Sequence, residues 1–65
     1  MTIEINGEAK DVTSRTVADL FVDLAIDPTG RAVTINGTSV KWTEWPHARI
    51  APGDRIEIVR LIAGG

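Results

Sequence analysis

Two Asn-Gly pairs, Asn6-Gly7 and Asn36-Gly37, constrain this chain more than any other feature. Each follows a short run in which β-branched residues alternate with polar ones: Ile3 and Ile5 in the first, Val33 and Ile35 in the second. Asn-Gly accepts the positive φ of tight turns whose twist matches that of paired strands, so each pair marks a β-hairpin. The register of the first hairpin stays open. A two-residue turn puts Glu8 and Lys10 on the face of Ile3 and Ile5, whereas a three-residue loop with a bulge puts Ala9 there.

Between the hairpins, Val17, Leu20, Phe21 and Leu24 fall at i, i+3, i+4 and i+7, the spacing of one apolar stripe on a helix. Thr16 is the expected N-cap, and Asp19 sits where its charge suits the positive helix end. Pro28 and Gly30 bar continuation much past Ala25. Lys41 to Ile50, with Trp42 and Trp45 three apart and Pro46 after them, fits one turn of helix or an irregular loop. Ala51-Pro52-Gly53-Asp54 reads as a turn, with Pro52 presetting φ and Gly53 free to take a positive one. A strand rich in β-branched residues follows, Arg55 to Leu61. The order β-β-α-β-β-β predicts an α+β domain, a mixed sheet of four to five strands covered on one face by one helix. The 65 residues leave room for one domain, 1–65, with 62–65 as a flexible C-terminal tail.

Composition narrows the function. There is no Cys, so disulfides, thiolate metal sites and cysteine nucleophiles are excluded. The 7 Lys and Arg are spread along the chain and outweighed to a net charge of −2, which gives nucleic acid no electrostatic footprint. No apolar run reaches the roughly 18 residues of a membrane span, and Met1-Thr2-Ile3-Glu4 lacks the basic flank of a signal peptide, so the cytoplasm is the expected compartment. Side-chain catalysis is poorly provided for. His47 follows a Pro in a loop with no orienting partner, Ser14 and Ser39 fall in polar turns without an acid or His nearby in the chain, and Asp19, Asp23 and Asp27 line the polar face of the helix. No catalytic or metal-binding residue is assigned.

The last ten residues carry the functional signal. A strand runs almost without a break into Leu61-Ile62-Ala63-Gly64-Gly65. Gly64 and Gly65 supply a narrow, flexible tip with a free α-carboxylate, which can be threaded into a partner's active site. There the carboxylate can attack the α-phosphate of ATP, giving a mixed anhydride open to a nucleophile. If Ile56 and Ile58 face the helix, Glu57, Val59 and Leu61 face away from it, with Thr34 on the matching face of its own strand. Val59, Leu61 and Thr34 are therefore expected to form a partner-binding surface beside the tail, Ile62 to Gly65.

Taken together, the Asn6-Gly7 hairpin, the capped helix from Thr16-Val17 to Leu24, Ala32-Val33-Thr34-Ile35-Asn36, the Pro52-Gly53-Asp54 turn and the Ile62-Ala63-Gly64-Gly65 ending resemble the ThiS family, the ubiquitin-like β-grasp sulfur carriers of thiamine biosynthesis. The resemblance spans the whole chain. It implies that Gly65 is adenylated by a ThiF-type adenylyltransferase and converted to a thiocarboxylate with sulfur from a cysteine desulfurase-type source. The thiocarboxylate then donates sulfur to thiazole synthase. It also implies that the chain itself binds no cofactor, ATP and the sulfur donor being used by the partner enzymes. One departure is visible: Lys41-Trp42 stands where such proteins often carry Pro-Arg. Two other readings share the fold. One is a carrier with another client, such as the small subunit of molybdopterin synthase or a carrier for amino-acid sulfur transfer. The other is a protein modifier or binding module.

Overall fold

The computed structural model describes residues 1–61. Strands β1 (Thr2–Ile5) and β2 (Glu8–Asp11) form the first hairpin. Asn6 and Gly7 both take positive φ, 49° and 85°, as the tightest turns require, and the register pairs Ile5 with Glu8 and Ile3 with Lys10. The two-residue alternative is the one adopted. Charged Glu8 and Lys10 can share the face of Ile3 and Ile5 because β2 is an edge strand exposed throughout, and charges there discourage further strand pairing.

Helix α1 (Val17–Asp23) starts as its capping residues predict. The Thr16 hydroxyl accepts the Asp19 N–H at 3.2 Å, and the Asp19 carboxylate accepts the Arg15 N–H at 3.4 Å. The orphan donors of the first turn find partners elsewhere: Val17 N–H donates to Ala48 O at 3.0 Å and Ala18 N–H to Trp45 O at 3.1 Å. The helix stops before Pro28 can act. Ile26 N–H donates to Phe21 O and Ala25 N–H to Val22 O, a Schellman closure that forces Ala25 to φ 54°. A residue with a Cβ occupies a position that ordinarily belongs to glycine.

Strands β3 (Arg31–Ile35) and β4 (Thr38–Val40) form the second hairpin around Asn36 and Gly37, again both at positive φ. Ser39 lies in β4 rather than in a turn. A short 3₁₀ turn (Trp42–Glu44) opens the segment that sequence left ambiguous. In it Trp45 is buried and stacks on Phe21 of α1, centroids 4.7 Å apart, with its indole N–H donating to Val40 O at 3.0 Å. An aromatic pair of this kind closes the open end of a small core, and the hydrogen bond removes the cost of burying the indole N–H. Trp42 stays outside.

Strand β5 (Arg55–Arg60) completes a five-stranded sheet in the order β2-β1-β5-β3-β4. It lies at the centre, parallel to β1 and antiparallel to β3. Ile3, Ile5, Val33, Ile56 and Ile58 of the sheet bury against Val17, Leu20 and Phe21 of the helix. Each such side chain contributes about 1.5–3 kcal/mol on burial, the main source of stability in a core this small.

Candidate functional site

The site is built around β5, because this strand leads directly into residues 62–65. The turn before it is as expected: Asp54 N–H donates to Ala51 O at 3.1 Å, with Pro52 and Gly53 between them and Gly53 at φ 83°. Asp54 also accepts the Ala51 N–H on its carboxylate at 2.8 Å.

Both turn asparagines then grip the strand, one from each side. Register pairing of β1 with β5 covers only Glu4 with Arg55 and Ile5 with Ile56. Beyond it the side chain of Asn6 takes over the ladder, donating from Nδ2 to Ile58 O at 3.0 Å and accepting Ile58 N–H on Oδ1 at 2.9 Å. On the other side Asn36 Oδ1 accepts Arg55 N–H at 2.9 Å while its Nδ2 donates to the Asp54 carboxylate at 3.1 Å. At the far end Leu61 N–H donates to Gly30 O at 2.7 Å. The backbone entering the tail is thus held along its length. Sequence marked Asn6 and Asn36 only as turn formers; their grip on β5 depends on which strand lies alongside, which local pattern does not encode.

Side-chain phase on β5 follows the expectation through Val59. Ile56 and Ile58 are buried, Glu57 and Val59 are exposed on the opposite face, and Thr34 stands across from Glu57. Val59 is 49% exposed. Thr34 is half-buried and its hydroxyl oxygen is covered without a hydrogen-bond partner among the described residues. Leu61 lies one residue past the strand, keeps the register of the β3–β5 ladder through its N–H bond to Gly30 O, and lines a cleft with Pro28, Trp42 and Trp45. Ile62, Ala63, Gly64 and Gly65, the tail residues singled out from sequence, lie outside the described residues.

The polar groups considered for chemistry are engaged structurally. Ser14 is buried, and its hydroxyl donates to the Asp23 carboxylate. The Asp19 carboxylate accepts the Arg15 N–H just before α1, and Asp27 accepts the Thr29 N–H at 2.9 Å. That backbone hydrogen bond, helped by the Thr29 hydroxyl and the nearby Arg31 charge, holds the Asp27 carboxyl below its usual range. His47 is exposed. Among the described residues no three His, Asp or Glu side chains are grouped to hold a metal ion, and no helix is long and apolar enough to cross a membrane.

A five-stranded mixed sheet in this order, crossed by one helix and ending in a central strand that feeds the C-terminal segment, defines a β-grasp domain of the ubiquitin-like class. The chain belongs to the ThiS family, whose model matches residues 3–65. It is 28% identical over 61 residues to the sulfur carrier protein ThiS of Thermus thermophilus, covering 94% of this chain and 95% of that one. A crystal structure of the thiamine biosynthesis protein ThiS from Geobacter metallireducens superposes with a TM-score of 0.88 at 22% identity, covering all of both chains. A solution structure of a thiamine biosynthesis protein from the same organism gives 0.77 at 22% identity, covering 100% of this chain and 88% of that one. The structural likeness establishes the fold; the family match extends through both terminal glycines.

Proposed function

We propose that this chain is a sulfur carrier of thiamine biosynthesis, the substrate of an ATP-dependent activating enzyme rather than an enzyme itself. The observation that carries the reading is the family match, which runs through Gly65. The chemistry follows from a terminal glycine. A Gly65 carboxylate oxygen attacks the α-phosphorus of ATP, and pyrophosphate leaves. The resulting acyl adenylate is attacked at its carbonyl carbon by sulfur at the sulfide level, AMP leaves, and a thiocarboxylate remains on Gly65. No thiol on the carrier is required, in keeping with a chain without Cys. The thiocarboxylate sulfur then passes to thiazole synthase.

In this reading the fold contributes position. Hydrogen bonds made by the Asn6 and Asn36 side chains and the Gly30 carbonyl to the backbone of Arg55, Ile58 and Leu61 support this reading, because they hold the chain that leads into residues 62–65. Val59 and Thr34 on the outer sheet face offer the enzymes a surface beside it. The partners are a ThiF-type adenylyltransferase, a cysteine desulfurase-type sulfur source and thiazole synthase, and the need for ATP favours the cytoplasm. The test is ATP–pyrophosphate exchange with the adenylyltransferase. Full-length carrier is expected to support exchange, whereas carrier lacking Gly65, or carrying it as the amide, supports none while melting as the parent does. Exchange undiminished by either change would refute the role of Gly65.

A further inference from the structure

Trp42 is 74% exposed, while Trp45 three residues later is buried. It stands between two shallow clefts that share Pro28 and Trp45. One, about 400 Å³, continues to Arg31 and Leu61; the other, about 210 Å³, continues to Val22 and Pro46. Val22 is 79% exposed and Leu61 61%. An apolar strip therefore runs from Val22 of α1 past the exposed Trp42 side chain to Leu61, over the buried Trp45. Contiguous exposed apolar surface of this kind marks an interaction site, and Trp is the residue most often found at the energetic centre of one.

The edge of the strip is cationic. Arg31 lines the larger cleft and pairs directly across β3 and β5 with Arg60, and Lys41 precedes Trp42. Like charges facing one another across a sheet cost stability; Arg31 donates its Nε–H to Asp27 O at 3.3 Å and lies near the Asp27 carboxyl, whereas Arg60 forms no ion pair among the described residues. A neighbour bearing carboxylates would relieve that cost. The location selects the neighbour. Four residues follow Leu61 and reach at most about 13–14 Å when extended, so an enzyme acting on the final carboxylate must bring its surface close to this strip.

We propose that the Trp42 strip docks the enzyme that activates the tail, receiving from it an apolar side chain flanked by carboxylates that meet Arg31 and Arg60. This inference rests on the carrier reading above. It adds a second contact surface, on the helix side of the molecule, to the outer sheet face at Val59.

The experiment is ATP–pyrophosphate exchange by the ThiF-type adenylyltransferase of the same organism, with the carrier titrated at low and high salt and its melting temperature recorded. Wild type is compared with Trp42→Ala, Trp42→Phe and the double variant Arg31→Gln/Arg60→Gln. Trp42→Ala is expected to raise KM for the carrier about tenfold or more with kcat nearly unchanged, as truncation of a central interface Trp does, and Trp42→Phe to recover part of the loss. The double arginine variant is expected to raise KM about fivefold at low salt and to flatten its salt dependence. Unchanged KM in Trp42→Ala with an active wild type overturns the docking site. An arginine variant that keeps the wild-type salt dependence overturns its acidic complement. Wild type that supports no exchange refutes the carrier reading itself, by a different observable, and removes this inference with it.

Discussion

Replacing Asn6 by Gly separates the two jobs this residue performs. Glycine adopts φ 49° without strain, so the turn is preserved, whereas the amide that bonds both backbone groups of Ile58 is lost. Two neutral hydrogen bonds contribute about 1 kcal/mol each, so the substitution should cost roughly 2 kcal/mol. The added freedom of glycine in the unfolded chain brings up to about 1 kcal/mol more. At roughly 4–8 °C per kcal/mol for a domain of this size, the melting temperature should fall by about 8–16 °C or somewhat further. Thermal melts by circular dichroism measure the whole effect, and amide hydrogen exchange localises it, since Ile58 should lose protection before Ile3 or Leu20. A variant that melts within about 2 °C of the parent would refute the reasoning, because the turn alone would then explain the asparagine.

Three further outcomes are expected. Ala25→Gly should stabilise the domain by about 0.5–1 kcal/mol in chemical denaturation, because glycine relieves the left-handed strain of the Schellman closure by more than it adds in unfolded-state freedom. Val59→Asp should weaken binding to the activating enzyme in titration calorimetry while costing less than about 1 kcal/mol of stability, since the side chain stands half-exposed on the outer face. Asp27→Ala should alter the pH dependence of unfolding with a definite sign. The folded Asp27 carboxyl titrates below the ordinary value of 3.8, so its contribution is present above that value and disappears as pH falls through the folded one. Wild type and variant should therefore converge in strong acid, which acid titration of the denaturation midpoint checks.

Much of this fold is legible locally. Asn-Gly pairs announce hairpins because few residues tolerate two successive positive φ angles, and Thr16 announces α1 because a hydroxyl there meets an orphan N–H. Pro52-Gly53 announces the turn into β5 for the same local reasons. What sequence left open depends on partners remote in the chain. The first hairpin's register was undecided because Glu8 and Lys10 are tolerated inward only on an uncovered edge, and edge position is a property of the whole sheet. The two tryptophans look alike in sequence, yet Trp45 finds Phe21 and Val40 while Trp42 finds neither. The like-charged pair Arg31 and Arg60 becomes visible only once β3 and β5 are aligned. For the candidate site, the Gly64-Gly65 ending suggests its chemistry from sequence alone, whereas the neighbours of β5 emerge only with the sheet.

The carrier role is tested most directly by the intact mass of the protein after incubation with the ThiF-type adenylyltransferase, ATP and a sulfide source. A mass gain equal to the exchange of one oxygen for one sulfur, localised by fragmentation to Gly65, is the predicted result. An unchanged mass, or carrier recovered only as conjugates to lysine side chains, would contradict it.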